Sequence, residues 1–171
     1  LSDTAAGVFL MRVADAALDP GAAAPLTALW ASPLFSLGED RASLRPDLGA
    51  LERRALRGRR PGRNMTELRE IVARRLADRR RGGGASEAVR FAQRADAILG
   101  RIDAALGPLT SLQGAQPAAA WARGLAQAAE ALAAEPGRTG SERLWAGDAG
   151  EAAAALVREF LDESEALPPV T

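Results

Sequence analysis

Apolar residues recur along most of this chain at the spacing of an α-helix, and this periodicity constrains the fold more than any other feature. Trp121, Leu125, Ala128 and Leu132, for example, follow one another at intervals of four, three and four residues. Residues at these intervals share one face of a helix, whereas a half-buried β-strand needs apolar and polar residues to alternate. Such alternation never persists over a strand's length. The sequence therefore predicts an all-α fold of about seven helices in an irregular orthogonal or bundle arrangement.

The helix boundaries follow from capping residues, prolines and glycines. The first predicted helix is capped by Asp3 or Thr4 and ends at Asp19-Pro20-Gly21, the second runs from Leu26 to about Ala31, and the third is capped by Asp47 and closed by Gly58. The fourth is opened by Asn64 with Glu67. The last three run from Ser86 to Gly107-Pro108, from Pro117 to Pro136-Gly137, and from Ser141 to Leu167.

The last predicted helix has a distinct apolar face. Its buried side is predicted to comprise Trp145, Ala149, Ala152, Leu156, Phe160 and Leu167, widened by Val157 and Leu161. Asp148 and Glu151 have the spacing of a capping box. The tryptophans Trp30, Trp121 and Trp145 all lie on apolar stripes, which favours core packing over a role in stacking on bases.

The stretch from Leu26 to Gly38 breaks this helical pattern. The residue before a proline is disfavoured in the α region, so the second helix should end near Ser32-Pro33. The residues that follow, Leu34, Phe35 and Leu37, are too apolar for a solvated loop. We predict a buried elbow on which the neighbouring helices pack.

The residue types that are missing exclude most catalytic chemistry. The chain has no cysteine, histidine or tyrosine, and all 22 basic residues are arginine. Histidine or cysteine metal sites, thiol nucleophiles, the commonest general base and the lysine of a phosphate-binding loop are therefore absent. Paired carboxylates remain, but Asp162, Glu163 and Glu165 have the pattern of a polar helix face. We expect no catalytic, cofactor-binding or metal-binding residue, and hence no enzyme.

Charge is unevenly distributed although the net charge is zero. Between Arg41 and Arg81 the sequence contains fourteen arginines and five acidic residues. From Glu130 to the last residue it contains nine acidic residues and three arginines. Within the basic block the strongest candidates for contacts with a DNA backbone or with a partner protein are Arg53, Arg54, Arg57, Arg59, Arg60 and Arg63. Arginine binds phosphate through two parallel hydrogen bonds, which favours a non-specific backbone contact.

Three other interpretations of these arginines remain open. They could meet acidic side chains of a neighbouring subunit in a protein–protein interaction module without direct DNA contact. They could equally form a solvated face, as expected in an arginine-rich proteome. The third interpretation concerns the whole domain: a ligand-binding helical regulator, which would require a concave pocket lined with polar groups.

We expect one helical domain spanning residues 1–171, in which Gly82-Gly83-Gly84 forms a hinge between two halves, 1–81 and 85–171. The chain begins at Leu1 without a methionine and ends in a proline-rich tail, which is typical of a piece excised from a longer protein. No run of about eighteen apolar residues indicates a membrane span, and no signal peptide is evident. The absence of cysteine is consistent with the cytoplasmic location that we expect.

Several short strings occur in a distinctive order: Asp3-Thr4 with Gly7, Phe9 and Leu10; Leu29 with Ser32-Pro33-Leu34 and Gly38; Leu51-Glu52 with Ala55-Leu56-Arg57-Gly58 and Arg60-Pro61; Arg143-Leu144-Trp145-Ala146-Gly147 with Ala149-Gly150-Glu151-Ala152; and Leu167-Pro168-Pro169. In this order they resemble an internal segment of AddB of the alphaproteobacterial type. AddB is a subunit of the bacterial AddAB helicase-nuclease, which processes double-strand DNA breaks. The similarity covers nearly the whole chain and is weakest from about Glu67 to Glu87.

The resemblance implies a position and a role. The segment would be the helical insertion of the second motor domain in a helicase similar to UvrD. The family's ATP and Mg sites and its iron-sulfur cluster would all lie outside this segment. The implied role is a non-catalytic accessory subdomain in DNA repair. Its partners would be DNA, the flanking motor domains and an AddA-like subunit, with no membrane.

Overall fold

The computed structural model describes residues 4–57, 62–79 and 85–164, which form eight α-helices, one π-helical turn and no β-strand. In chain order the helices are α1 (Ala5–Leu18), α2 (Ala23–Ala31), α3 (Arg41–Leu51), α4 (Met65–Arg79), α5 (Ala85–Thr110), α6 (Ala118–Ala133), α7 (Gly140–Leu144) and α8 (Gly147–Glu163). The π-turn (Glu52–Leu56) follows α3 directly. The predicted all-α fold is confirmed.

The 26-residue helix α5 is the central element of the core. It packs most extensively against α4 and α6, and it also contacts α1 and α3. Its buried face carries Ile98, Leu99, Ile102 and Leu106 at helical intervals. Every helix and the π-turn contribute buried side chains to one hydrophobic cluster, so the described helices share a single core.

The elbow (Ser32–Gly38) joins α2 to the far end of α6. Phe35 and Leu37 are buried, as the sequence predicts. The backbone N–H groups of Ser36 and Leu37 both donate to the Leu132 carbonyl, at 3.0 and 2.9 Å, and the Gly38 N–H donates to the Ala134 carbonyl at 2.6 Å. The last carbonyls of a helix have no donor within that helix. The elbow therefore caps the carboxyl end of α6.

Three arginines bind the carbonyl groups of the elbow. Arg143 donates to the Leu34 carbonyl at 3.2 Å and to the Ser36 hydroxyl at 2.8 Å, and it also reaches the Ala133 carbonyl of α6. Arg41 donates to the Phe35 carbonyl at 2.7 Å, and Arg101 donates to the Leu37 carbonyl. Leu37 has a φ of 54°, an unfavourable region for a residue with a side chain. These contacts hold it there.

The prediction that Asp47 caps the third helix is wrong. The helix α3 begins at Arg41, Asp40 is its cap and accepts the Ser43 N–H at 2.9 Å, and Pro46 lies inside the helix. Proline removes one helical hydrogen bond. Burial of Leu44 and Leu48 on the core side of the same helix compensates for that loss.

The single helix predicted from Ser141 to Leu167 is in fact two. A capping box between Thr139 and Glu142 opens α7, and the chain then turns at Trp145 and Ala146 before α8. Gly147 makes this turn possible because its φ of 68° suits glycine. The cap predicted from Asp148 and Glu151 is also wrong, because Ala146 occupies the cap position without a side-chain bond.

The predicted buried face of the last helix is largely wrong as well. In α8 the buried residues are Gly150 and Ala153, while Ala152 is exposed and Leu156 and Phe160 are 49% and 43% exposed. The turn after α7 resets the direction of the helix, so periodicity alone could not identify the inner face. The predicted position Leu167 lies outside the described residues.

Other predicted helix ends agree with the structure or differ by a few residues. The Thr4 hydroxyl accepts the Gly7 N–H at 3.1 Å, and Pro117 occupies the cap position of α6. The Asn64 side chain accepts the Glu67 N–H at 2.9 Å, but Glu67 binds the N–H of Arg63 and not that of Asn64. The helix α5 continues past Pro108 to Thr110. The predicted closure at Gly58 and the hinge at Gly82–Gly84 lie outside the described residues.

The three tryptophans pack in or against the core, as predicted. Trp30 is buried, while Trp121 and Trp145 are partly buried against the hydrophobic cluster. The Trp145 indole N–H donates to the Glu130 carboxylate at 2.6 Å, which ties the turn before α8 to α6.

A network of charged side chains connects α3 to α5. Glu39 accepts hydrogen bonds from Arg94 and Arg101, and Arg94 also donates to Asp47 at 2.8 Å. The hydrogen bond from Arg94 is the main cause that lowers the pKa of Glu39 below its usual value, and the same bond raises the pKa of Arg94. Asp47 thus pairs with α5 and does not cap a helix.

Replacing Arg143 should destabilise the protein more than replacing any exposed arginine. Its side chain is only 11% exposed and pairs with Glu135 at 3.2 Å. Arg143→Met leaves buried carbonyls and Glu135 without their donor, so we expect a loss of about 2–4 kcal/mol in the free energy of unfolding. Urea denaturation followed by circular dichroism measures this.

The matched control is Arg138→Met, which removes a more exposed arginine 3.7 Å from the same Glu135. Exposed ion pairs contribute little, so this variant should lose about 1 kcal/mol or less. Equal losses in the two variants would show that the contacts of Arg143 to the elbow do not stabilise the fold.

The pKa of Glu39 predicts a specific dependence of stability on pH. Because folding lowers this pKa below 4.5, the ionised Glu39 stabilises the protein above that pH, and the contribution disappears as the pH falls through the folded-state pKa. Urea unfolding from about pH 7 to about pH 3 should show a shallower acid loss of stability for Glu39→Gln than for the unmodified protein. The exposed Glu159→Gln should leave the profile unchanged. If Glu39→Gln retains the full slope, other groups carry the acid response.

Candidate nucleic-acid interface

The π-turn places arginines on the surface directly beside the core. After Leu51 the helix widens, and the Arg57 N–H donates to the Glu52 carbonyl at 3.2 Å across five residues. The neighbouring residues Ala55 and Leu56 are both buried, while Arg53 and Arg54 are exposed. A π-turn is a common way for a helix to end, so the turn matters here only because it sets the direction of these arginines.

A cavity of about 350 Å³ lies between the π-turn and α4. We call it the arginine cleft, and its lining residues are Arg53, Arg54, Ala55, Arg57, Arg75 and Asp78. Four of these side chains carry a guanidinium group, which stays protonated in proteins, and one carries a carboxylate. The cleft therefore presents an excess of positive charge in a concave surface.

Two of the four guanidinium groups are held in place by neighbours. Arg54 lies over the ring of Phe91, 4.8 Å from its centre, in a cation–π contact. Arg75 donates to the Ala55 carbonyl at the end of the π-turn, where carbonyls lack helical donors. Both contacts leave further N–H donors of each guanidinium group available, because arginine carries five.

The other two guanidinium groups are less constrained. Arg57 is 69% exposed and lies 3.8 Å from Glu52, a loose pair of the kind that contributes little in water. Within residues 4–57, 62–79 and 85–164, the Arg53 side chain has no hydrogen bond or ion pair, and its guanidinium group lies beside Gly49 of α3. An anion entering the cleft would find these donors ready to bind.

The structure brings together three of the six arginines predicted as contacts. Arg53, Arg54 and Arg57 line the cleft, whereas Arg63 is exposed outside it and donates its backbone N–H to Glu67 at 2.8 Å. Arg59 and Arg60 lie outside the described residues.

Arg75 is the arginine of the cleft that is not among the six predicted contacts. It precedes Leu76 on α4, at the edge of the apolar stripe formed by Leu68, Val72 and Leu76. An arginine at such an edge can reach the end of a neighbouring helix. This position beside the apolar stripe is the sequence feature that could have identified Arg75. Its partner, the π-turn, has no comparable signature in the sequence.

Several arginines of the basic block make contacts within the fold itself. Arg41 binds the elbow, and burial lowers its pKa. Arg69 donates to both oxygens of Asp96, at 2.8 and 3.0 Å. This pair raises the pKa of Arg69 and lowers that of Asp96. The block's net charge therefore overstates the charge that a partner would meet.

A second concave region is almost entirely apolar. We call it the apolar groove; it has a volume of about 590 Å³ and lies between α1, α6 and α8, with Leu10, Leu18, Trp121, Leu125, Leu156 and Phe160 among its lining residues. None of the described residues that line it has a titratable side chain.

Two further properties of the described residues bear on function. Within residues 4–57, 62–79 and 85–164, no group of three or more acidic side chains is arranged to hold a metal ion. Across the same ranges, no helix combines the length and hydrophobicity needed to cross a bilayer.

Comparison with known proteins identifies no relative. No family model, no curated protein and no solved structure matches the chain. The resemblance to AddB therefore stays a prediction.

The contact between Arg54 and Phe91 should be measurable as a coupling. A double-mutant cycle with Arg54→Met and Phe91→Leu should give a coupling energy of about 0.5–1 kcal/mol in the free energy of unfolding. The cycle cancels the change in packing energy that each substitution causes on its own, so only the interaction between the two side chains remains. A coupling near zero would mean that the ring does not orient Arg54.

Proposed function

We propose that this domain is a non-catalytic accessory module that binds the sugar-phosphate backbone of nucleic acid through the arginine cleft. The observation that carries the proposal is the convergence of Arg53, Arg54, Arg57 and Arg75 on one concave surface. Each guanidinium group can donate two parallel hydrogen bonds to a phosphate, which a lysine could not do.

The sequence beside the cleft extends the positive charge. Arg57 is followed two and three residues later by Arg59 and Arg60, and Asp78 is followed at the same distances by Arg80 and Arg81. Four further arginines therefore adjoin the cleft residues in sequence. A polyanion with several phosphates matches this run of charge better than a single small anion does.

Binding of this kind should not depend on base sequence. Phe91 is the aromatic ring beside the cleft, and Arg54 covers it, so it is not offered to an unstacked base. Contacts to phosphates alone position a nucleic acid without reading it. The expected signature is an affinity that falls steeply as salt concentration rises, because bound counterions are released.

The resemblance to AddB suggests where such binding would act. In a double-strand break repair helicase-nuclease, a helical insertion with a basic cleft would hold the DNA backbone as the motor advances. The other faces of the domain would pack against the flanking motor domains or an AddA-like subunit. ATP, Mg and the iron-sulfur cluster would belong to other parts of that assembly.

Charge reversal in the cleft tests the proposal. Arg53→Glu with Arg57→Glu changes two exposed side chains that make at most one loose ion pair, so the fold should persist. We expect the affinity for a labelled mixed-sequence duplex, measured by fluorescence anisotropy, to fall at least about tenfold. The slope of log affinity against log salt concentration should become shallower by about 1–2.

The matched control reverses two exposed arginines elsewhere, Arg123 on α6 and Arg158 on α8. This pair changes the net charge by the same amount, so a purely long-range effect would weaken binding equally. Equal losses, or no salt-dependent binding by the unmodified protein, would overturn the proposal. Retention of an acidic protein partner, lost on Arg53→Glu with Arg57→Glu, would then favour the protein–protein interaction module.

A further inference from the structure

The apolar groove is an exposed hydrophobic surface that the proposed function does not use. Its rim carries Leu18, Leu156 and Phe160, which are 83%, 49% and 43% exposed. A contiguous apolar surface that is open to solvent commonly marks an interaction site. The binding of phosphate in the arginine cleft does not involve this surface, so the groove needs an explanation of its own.

Three helices give the groove its shape. The rim residues belong to α1 and α8 and are exposed, whereas the residues that α6 contributes, Trp121, Ala122, Leu125 and Ala126 among them, are only partly exposed. The helix α6 therefore forms the floor of the groove, and α1 and α8 form its two walls.

The lining of the groove determines which backbone conformation an occupant can have. Among the described residues that line it, the Trp121 indole nitrogen is the only polar side-chain atom, and it is buried. A polyproline II or extended segment makes no hydrogen bonds within itself, and burying its unpaired backbone groups here would be costly. An α-helix pairs these groups internally. Amphipathic helices characteristically bind in hydrophobic grooves, so a helix is the occupant that this lining favours.

The rim of the groove is negatively charged on both walls. Each exposed apolar residue of the rim has an exposed acidic residue three positions away on the same helix, which places the two side by side on the helix surface. The pairs are Leu18 with Asp15, Leu156 with Glu159, and Phe160 with Glu163. Within residues 4–57, 62–79 and 85–164, none of these three carboxylates has an ion pair.

Basic side chains are placed differently around the groove. No arginine occupies a position three or four residues from a rim residue. Arg158 shares the outer face of α8 with Glu151 and Asp162, and Arg123 lies three positions before Ala126 on the helix that forms the floor. The two walls therefore carry an excess of negative charge next to their apolar residues.

We propose that the apolar groove binds an amphipathic helix of a partner protein in which arginine or lysine residues flank both sides of the apolar stripe. The apolar side chains of that helix pack between α1 and α8. Its basic flanks meet Asp15 on one wall and Glu159 and Glu163 on the other. A second copy of this chain would bring the same acidic rim against this one, and like charges across an interface repel each other. The proposal does not depend on nucleic-acid binding.

A pair of designed peptides tests the proposal with the full chain. Both are helices of about 18 residues, roughly five turns, with leucine at helical intervals on one face. Arginine flanks the leucine face in one peptide, and glutamate flanks it in the other. We expect the arginine-flanked peptide to bind at least about tenfold more tightly in fluorescence anisotropy. Equal affinities, or no binding of the arginine-flanked peptide, would overturn the proposal.

Reversing the charge of the rim should reverse this preference. In Glu159→Arg with Glu163→Arg, the glutamate-flanked peptide should become the tighter ligand. The matched control, Glu151→Arg with Asp162→Arg, changes the net charge equally but on the outer face of the same helix, so it should still prefer the arginine-flanked peptide. Equal effects of the two pairs would show that only the net charge acts, which contradicts the proposal.

A third variant shows whether the peptide occupies the groove. Leu156→Ser with Phe160→Ser removes apolar surface from the wall formed by α8, and it should weaken binding of the arginine-flanked peptide at least about tenfold. Circular dichroism checks that this variant keeps its helical content. An unchanged affinity would place the peptide elsewhere and overturn the proposal. So would a dimer of the unmodified chain, detected by analytical ultracentrifugation, that these two substitutions dissociate, because a second copy would then fill the groove.

Discussion

The fold depends on how the elbow's backbone is hydrogen-bonded inside the protein. A non-helical segment in a core exposes N–H and C=O groups that must find partners, because an unpaired buried group is costly. Here the N–H groups of Ser36, Leu37 and Gly38 meet the free carbonyls at the end of α6. The N–H groups of the elbow and the carbonyl groups at the end of α6 thus satisfy each other, and these hydrogen bonds fix α2 against α6.

Arginine is what makes this arrangement possible. Arg143 alone contacts the Leu34 carbonyl, the Ser36 hydroxyl, the Ala133 carbonyl and Glu135. A planar group with five donors can bridge several acceptors, whereas the compact lysine ammonium, with three donors, could not span them in this geometry. The same chemistry serves two purposes in this chain. At the elbow the guanidinium donors bind acceptors of the fold itself, whereas in the arginine cleft the Arg57 guanidinium makes only a loose pair with Glu52 at 3.8 Å.

The sequence predicted what local rules determine. The fold class, the Thr4 cap, the start of α6 at Pro117 and the buried elbow each follow from spacing, capping or proline chemistry, and the structure agrees. The failures arose where tertiary contacts override those rules. Pro46 stays inside α3 because Leu44 and Leu48 are buried on both sides of it, and the exposed face of α8 follows from a turn at Trp145 that helical periodicity cannot show.

In the candidate site, too, local sequence identifies some residues and tertiary structure decides the others. Arg53, Arg54 and Arg57 could be selected because the sequence clusters them, and the structure places all three in one cleft. Arg75 could not be selected with the same ease, since it comes from another helix and meets the others only across a π-turn. Charge counting also overvalued Arg41 and Arg69, which the fold uses for its own carbonyls and carboxylates.

The contact between the elbow and the far end of the chain also bears on how the protein folds. Arg143 and Ser36 are 107 residues apart in sequence, and Leu37 adopts its unfavourable φ only where Leu132 and Arg101 can bind its backbone. Closing so long a loop costs conformational entropy before any contact between its ends forms, and this slows folding. The helices can form from local signals, but the hydrogen bonds of the elbow require residues 34–38 to meet α6 and Arg143, about 95 to 109 positions later in the sequence. The elbow is therefore the part of the fold that local sequence determines least.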